Sequence, residues 1–151
     1  MSAAPVIRPL RTDDEPEWRR LWTAYLDFYE SSVPNAVYRS SFHRMLAGND
    51  GEENEFRGLI AELDGKPVGL AHYLFHRHGW KIENVCYLQD LYADPQVRGA
   101  GIGRALIEAV YTKADEAMCP SVYWLTQDFN HTARRLYDRI GTKTPFIKYS
   151  R

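Results

Sequence analysis

Arg98-Gly99-Ala100-Gly101-Ile102-Gly103 stands between the apolar run Val85-Cys86-Tyr87-Leu88-Gln89-Asp90-Leu91-Tyr92 and the helical pattern Arg104-Ala105-Leu106-Ile107-Glu108-Ala109-Val110. A strand feeding a glycine loop that opens a helix leaves several backbone N–H groups unpaired, and aims them with the positive helix end at one point. The stretch reads as an anion cradle suited to a phosphate. Two common nucleotide motifs do not fit it. G-x-G-x-x-G started at Gly99 meets Arg104 at its last position, and started at Gly101 it meets Leu106. G-x-x-x-x-G-K-[ST] also meets Arg104 where its second glycine belongs, and no Lys-Ser or Lys-Thr pair follows. What remains is R-x-x-G-x-G between a strand and a helix.

Outward from the cradle, the chain's 151 residues suit one domain, 1–151, with room for a sizeable core. Nineteen basic against 20 acidic residues give a net charge of −1 and no footprint for nucleic acid or an anionic membrane. The start Met1-Ser2-Ala3-Ala4-Pro5 carries no long apolar stretch, so neither a signal peptide nor a membrane span is expected, and a cytoplasmic location follows. Cys86 and Cys119 lie far apart in apolar segments and read as buried, reduced thiols. His72, His76 and His78 share a strand face, yet His72 and His76 stand about 13 Å apart along a strand, so no metal is predicted.

Periodicity gives the order of elements. Val6 to Leu10 reads as a strand, with Thr12 as N-cap of a helix carrying Trp18, Leu21, Trp22, Tyr25, Phe28 and Tyr29. A second helix spans Asn35 to Ala47, and Arg57 to Leu63 and Pro67 to Arg77 form a hairpin around Asp64-Gly65-Lys66. A strand from Ile82 to Tyr92 leads into the cradle and a helix to about Met118. Val122 to Thr126 is a short strand, His131 to Ile140 a helix capped by Asn130, and Gly141 suits the C′ position. Thr144 to Tyr149 reads as a last strand.

The order β-α-α-β-β-β-α-β-α-β and the R-x-x-G-x-G loop together resemble the GNAT superfamily of acyl-CoA-dependent N-acyltransferases. The resemblance implies an α+β fold of three α/β/α layers, whose mixed, mainly antiparallel sheet splays around the acetyl-CoA site. It implies acetyl-CoA as cosubstrate, its pyrophosphate held by the backbone of Arg98, Gly99, Ala100, Gly101, Ile102, Gly103 and Arg104. A backbone N–H of Leu91 or Tyr92, beside Ala93, would polarise the thioester carbonyl, and a strand bulge there would admit the pantetheine arm. Asn130-His131-Thr132-Ala133-Arg134-Arg135-Leu136-Tyr137 resembles the family's N-x-x-A-x-x-x-Y pattern, in which Asn130 and Ala133 border the cofactor and Tyr137 protonates the departing thiolate. The plain readings are that Tyr137 is a packed helix aromatic and Asn130 a cap.

An acceptor amine is mostly ammonium at neutral pH and must lose a proton before it attacks. Polyamine and thialysine acetyltransferases, which the chain resembles around Tyr87 to Tyr92, often carry Glu-Asp where Gln89-Asp90 stand. Gln89 cannot take a proton, so Asp90 is the remaining carboxylate, directly or through water; alternatively it is structural. Tyr25, Tyr29, Glu30 and Gln89 border the acceptor pocket by analogy. The resemblance implies transfer to a polyamine, an amino acid or a basic-protein lysine by direct attack. A non-catalytic acyl-CoA-binding domain and a protein N-terminal acetyltransferase stay open as alternatives. Few residues follow the last helix, so a homodimer completing the sheet through the C-terminal strand is expected.

Overall fold

The structure, a computed structural model, describes residues 3–97 and 99–151. Five strands, β1 (Val6–Pro9), β2 (Arg57–Leu63), β3 (Lys66–His76), β4 (Val85–Ala93) and β5 (Val122–Tyr123), form one sheet in chain order. Every neighbour is antiparallel except β4 and β5, which run parallel. Helices α1 (Glu15–Phe28) and α2 (Asn35–Asn49) cover one face, and α3 (Ile102–Glu116) and α4 (His131–Ile140) lie on the other. This is the three-layer, mainly antiparallel α+β architecture expected.

Alternation along the central strands builds the two cores. Leu59, Ala61, Ala71 and Tyr73 pack toward α3 with Leu106, Ile107 and Val110. Ile60 and Leu70 pack toward α1 and α2 with Trp18, Leu21, Phe42 and Met45. In α1, Trp18, Leu21, Trp22 and Tyr25 follow i, i+3, i+4 and i+7, and this stripe meets the sheet. Thr12 is not the cap of this helix: Thr12–Asp14 is a 3₁₀ turn. The buried Asp14 carboxylate is taken up by Arg8, at 2.7 and 2.8 Å, and by the Arg11 N–H at 2.7 Å.

Three expectations at the chain's edges are corrected. Strand β4 begins at Val85 rather than Ile82, whose side chain is 94% exposed in the loop before it. Gly141 is extended, φ −140° and ψ −179°, not left-handed; a Cβ there would lie 2.9 Å from the Trp124 ring, so close packing demands glycine. Thr144 to Tyr149 is not a strand in this chain. Strand β5 ends at Tyr123 after two residues, and the closing segment pairs with no strand among the described residues; Phe146, Ile147 and Tyr149 are 79%, 76% and 88% exposed. Cys86 and Cys119 are buried and free.

Candidate active site

The sheet opens where β4 and β5 part. They pair only at Cys86 with Val122 and Tyr87 with Tyr123, while β4 continues against β3 as far as Ala93 opposite Gly69. Beyond Tyr87, one edge of β4 therefore has no strand neighbour among the described residues. Asp94 donates its N–H to Val68 O on the β3 side at 2.8 Å. Antiparallel alternation then turns the backbone groups of Leu91 and Ala93 to the open edge, and those of Tyr92 to β3. Of Leu91 and Tyr92, it is Leu91 whose N–H faces the opening.

A bulge sits in the same strand. His72 pairs with Asp90 and Tyr73 with Leu88, so Gln89 is the extra residue. In a regular strand Leu88 and Asp90 would share a face; here Leu88 packs toward α3 while Asp90 reaches Trp22 of α1. The bulge thus re-aims one carboxylate across the sheet, a few residues ahead of the expected position at Leu91 and Tyr92.

The opening is a narrow cleft of about 20 Å³ lined by Tyr25, Tyr29, Gln89, Leu91, Trp124 and Tyr137, with Leu88 and Leu125 completing it. Two aromatic pairs face it: Tyr25 against Tyr29 with centroids 5.1 Å apart, and Trp124 against Tyr137 at 5.5 Å. Burial, reinforced by Tyr29, pushes the Tyr137 phenol up to about 12, so it holds its proton at neutral pH. Burial and then the charge of Asp90 push the Tyr25 phenol up as well.

Asp90 lies just behind this wall, 8% exposed. Its Oδ2 is 2.8 Å from His72 Nδ1 and accepts from Trp22 Nε1 at 3.2 Å. Burial works against its ionisation, but the bonds from His72, Tyr25 and Trp22 outweigh burial and hold the carboxyl below the usual carboxylate range. His72 and Trp22 were not anticipated as its partners. Both read as core or as a lone strand histidine, and only the bulge brings Asp90 to them.

At the other end of β4, the loop turns into α3 with left-handed glycines, Gly99 at φ 83° and Gly101 at φ 73°. The first helical bond of α3 recorded among the described residues runs from the Ala105 N–H to Gly101 O, and the N–H groups of Ile102, Gly103 and Arg104 have no backbone partner among them. A Cβ on Gly99 or Gly101 would meet nothing within 4 Å, so the space before the loop is open. These features fit a diphosphate. Arg98 lies outside the described residues. Ala100 is half-buried against the α3 core, and the Arg104 side chain pairs with Glu108 at 2.8 Å.

Asn130 caps α4, its Oδ1 accepting the Ala133 N–H at 3.4 Å. The cleft brings together Tyr25, Tyr29, Gln89, Leu91 and Tyr137. It does not include Glu30, which is exposed at φ 55° just past α1. The Tyr92 side chain packs toward the α1 core and Ala93 toward the α3 core. Of the three strand histidines, His72 joins Asp90, His76 bonds the Tyr123 hydroxyl at 2.7 Å, and His78 packs on Trp80. No group of three metal-ligating side chains converges among the described residues.

Comparison with known proteins gives consistent matches. The profile of the acetyltransferase (GNAT) family matches residues 18–142. The D-amino-acid N-acetyltransferase HPA3 of Saccharomyces cerevisiae is 37% identical, across 97% of this chain and 89% of that protein. The thialysine N-epsilon-acetyltransferase of Mus musculus is 35% identical, across 93% of this chain and 85% of that protein. Among solved structures, AAC(6')-Iy in complex with a CoA bisubstrate analogue superposes with a TM-score of 0.83 at 18% identity, covering 99% of this chain and 98% of that one.

Proposed function

The chain belongs to the acetyltransferase (GNAT) family and is an acetyl-CoA-dependent N-acetyltransferase; on that premise we propose that it acetylates a small primary amine by direct attack in the cleft between β4 and α4. One observation carries this reading. The open edge of β4 at Leu91 and the Tyr137 side chain border one cleft, and β4 runs on from it into the glycine loop that opens α3.

Acetyl-CoA supplies a thioester, whose carbonyl carbon accepts the amine and whose sulfur leaves. The backbone from Gly99 to Arg104 holds the diphosphate, with Ile102, Gly103 and Arg104 donating from the first turn of α3. Arg98 completes the motif in sequence. The N–H of Leu91 points along the open edge and stabilises negative charge developing on the carbonyl oxygen. Tyr137, protonated at neutral pH, gives its proton to the departing sulfur. Asn130 and Ala133 lie on the face of α4 that carries Tyr137 and border the cofactor. Asp90 is the negative group behind the acceptor end, and the ammonium proton leaves the attacking nitrogen toward it directly or through water.

The acceptor is proposed to be an amino acid or diamine rather than a folded protein. Two relatives are named for acetylating amino-acid amines, and the cleft is narrow. A panel of D- and L-amino acids, diamines, thialysine and basic peptides, with the product identified by mass spectrometry, tests this. A single acetylated small amine supports it; acetylation of peptides alone overturns it.

Three coarser properties complete the proposal. One sheet with two cores supports reading 1–151 as a single domain. Two buried free thiols suit a reducing cytoplasm, and no helix among the described residues is long and apolar enough to cross a membrane. The short β5 and the exposed Phe146, Ile147 and Tyr149 support a homodimer in which the closing segment of one copy pairs with the other's sheet.

A further inference from the structure

At the far end of α3 from the glycine loop, the sheet and two helix ends enclose a second cavity, of about 230 Å³. Helix α3 has 15 residues and so spans about 22 Å, which sets this cavity well apart from the diphosphate cradle. It also lies on the β1 to β3 side of the sheet, whereas the cleft lies at β4 and just beyond β5. Its walls include Pro9 of β1, Arg57 of β2, Tyr73 of β3, Asn49 at the end of α2, and Lys113 and Glu116 in the last turn of α3.

Arg57 is the charged group in this cavity that lacks a counterpart. It stands opposite Tyr73 in the β2–β3 register, and its guanidinium lies over the Phe75 ring, 5.0 Å from the centroid. Its Nε is shut off from solvent and has no hydrogen-bond partner among the described residues. No carboxylate pairs with Arg57 among them either. A buried donor with no acceptor is costly, and more so on a charged group. The neighbouring polar groups are committed: Asn49 bonds Leu10 O and both backbone groups of Gly58, and Lys113 Nζ lies 3.7 Å from Glu116 Oε2. Burial pushes the Tyr73 phenol up to about 12 against the pull of the Arg57 charge, so it keeps its proton and adds an O–H donor to the same wall.

We propose that this cavity binds a small monocarboxylate, with the Arg57 guanidinium as its principal contact. A guanidinium presents Nε and one Nη as parallel donors at the spacing of the two carboxylate oxygens, so one ligand supplies the acceptor that Nε lacks. Charge selects the same class. Two cations, Arg57 and Lys113, against one anion, Glu116, leave one positive charge in the cavity. A monoanion cancels it, whereas a phosphate dianion would leave surplus negative charge beside Glu116 and the carbonyl end of α3. Size points to few atoms, since drug-sized ligands take about 300 to 1,000 Å³. The site stands apart from the acetyl-transfer cleft and needs no turnover to be occupied.

The test titrates benzoate, benzamide and inorganic phosphate into the full chain, free and loaded with CoA, and follows the Arg57 Nε–H resonance by heteronuclear NMR, with calorimetry on wild type and Arg57→Gln. Benzoate is expected to bind with a millimolar Kd and to shift that resonance equally with and without CoA, while the neutral benzamide of the same shape does neither. Arg57→Gln is expected to raise the benzoate Kd about tenfold or more, the loss of hydrogen bonds to a charged group. Melting temperatures identify a variant that fails to fold, and the wild-type resonance reads the site without any variant. No saturable benzoate shift at Arg57, equal binding of benzamide, or an unchanged Kd in folded Arg57→Gln overturns the site. Loss of benzoate binding on loading with CoA also overturns it, by placing benzoate in the cleft. Phosphate binding tighter than benzoate overturns the carboxylate assignment.

Discussion

Tyr137 and Asp90 are both titratable groups beside one cleft, pushed in opposite directions by their surroundings. Burial keeps the Tyr137 phenol protonated, and hydrogen bonds led by that of His72 outweigh burial and keep Asp90 ionised. Tyr137→Phe retains the ring contact with Trp124 and removes only the proton, so kcat is expected to fall about a hundredfold, with CoA affinity measured by calorimetry unchanged. The carboxyls also shape stability. Asp14 and Asp90 are held below the ordinary carboxylate range, so the unfolded chain binds more protons than the folded one in acid. Their contribution is complete above about pH 5 and is lost as pH falls through their folded-state values. Urea midpoints between pH 3 and 7 should therefore drop on the acid side, and a folded Asp14→Asn or Asp90→Asn should show a shallower drop. Tyr137 was legible from helical spacing together with the family resemblance. The partners of Asp90 were not: Trp22 and His72 lie 68 and 18 residues away in sequence, and a periodic pattern assigns both to packing.

At the scale of elements, the strand–loop–helix unit was readable because its signals are local: an apolar run, glycines at a turn and a helical repeat. Strand β2 and helix α4 likewise fall where their patterns put them, at Arg57–Leu63 and His131–Ile140. The bulge at Gln89 was not readable in position, since it depends on the register of β3 against β4. It matters because it lets Leu88 and Asp90 face opposite helices. Deleting Gln89 should restore a regular ladder with both side chains on their present faces, leaving circular dichroism and cooperative unfolding intact. Turnover should be lost, because the straightened edge of β4 no longer bends away from β5. The glycine loop gives a second contrast. Gly101→Ala forces a side chain into φ 73° and should cost about 1 kcal/mol in urea unfolding, with weaker CoA binding. Gly103→Ala places its Cβ in ordinary contact with Leu136 at 3.4 Å and should be close to neutral in stability.

For the whole molecule, the three layers follow from alternation in the central strands, which sends Leu59 to one core and Ile60 to the other. The closing segment defeats the same reasoning. Phe146, Ile147 and Tyr149 look like strand residues, yet they pair with no strand among the described residues and stand exposed, the edge strand β5 being only two residues long. If a second copy supplies that partner, a chain ending at Lys143 should sediment as a monomer at micromolar concentration while the full chain sediments as a dimer. A full-length monomer would contradict this. The cleft itself is built within one chain, from α1, β4, the segment after β5 and α4. The most direct measurement is amine-dependent release of free CoA thiol from acetyl-CoA, comparing wild type with Tyr137→Phe. The proposed chemistry requires release by wild type that depends on the amine and falls about a hundredfold in the variant. Equal rates in the two proteins, or no release with any amine despite bound acetyl-CoA, would contradict transfer at this cleft.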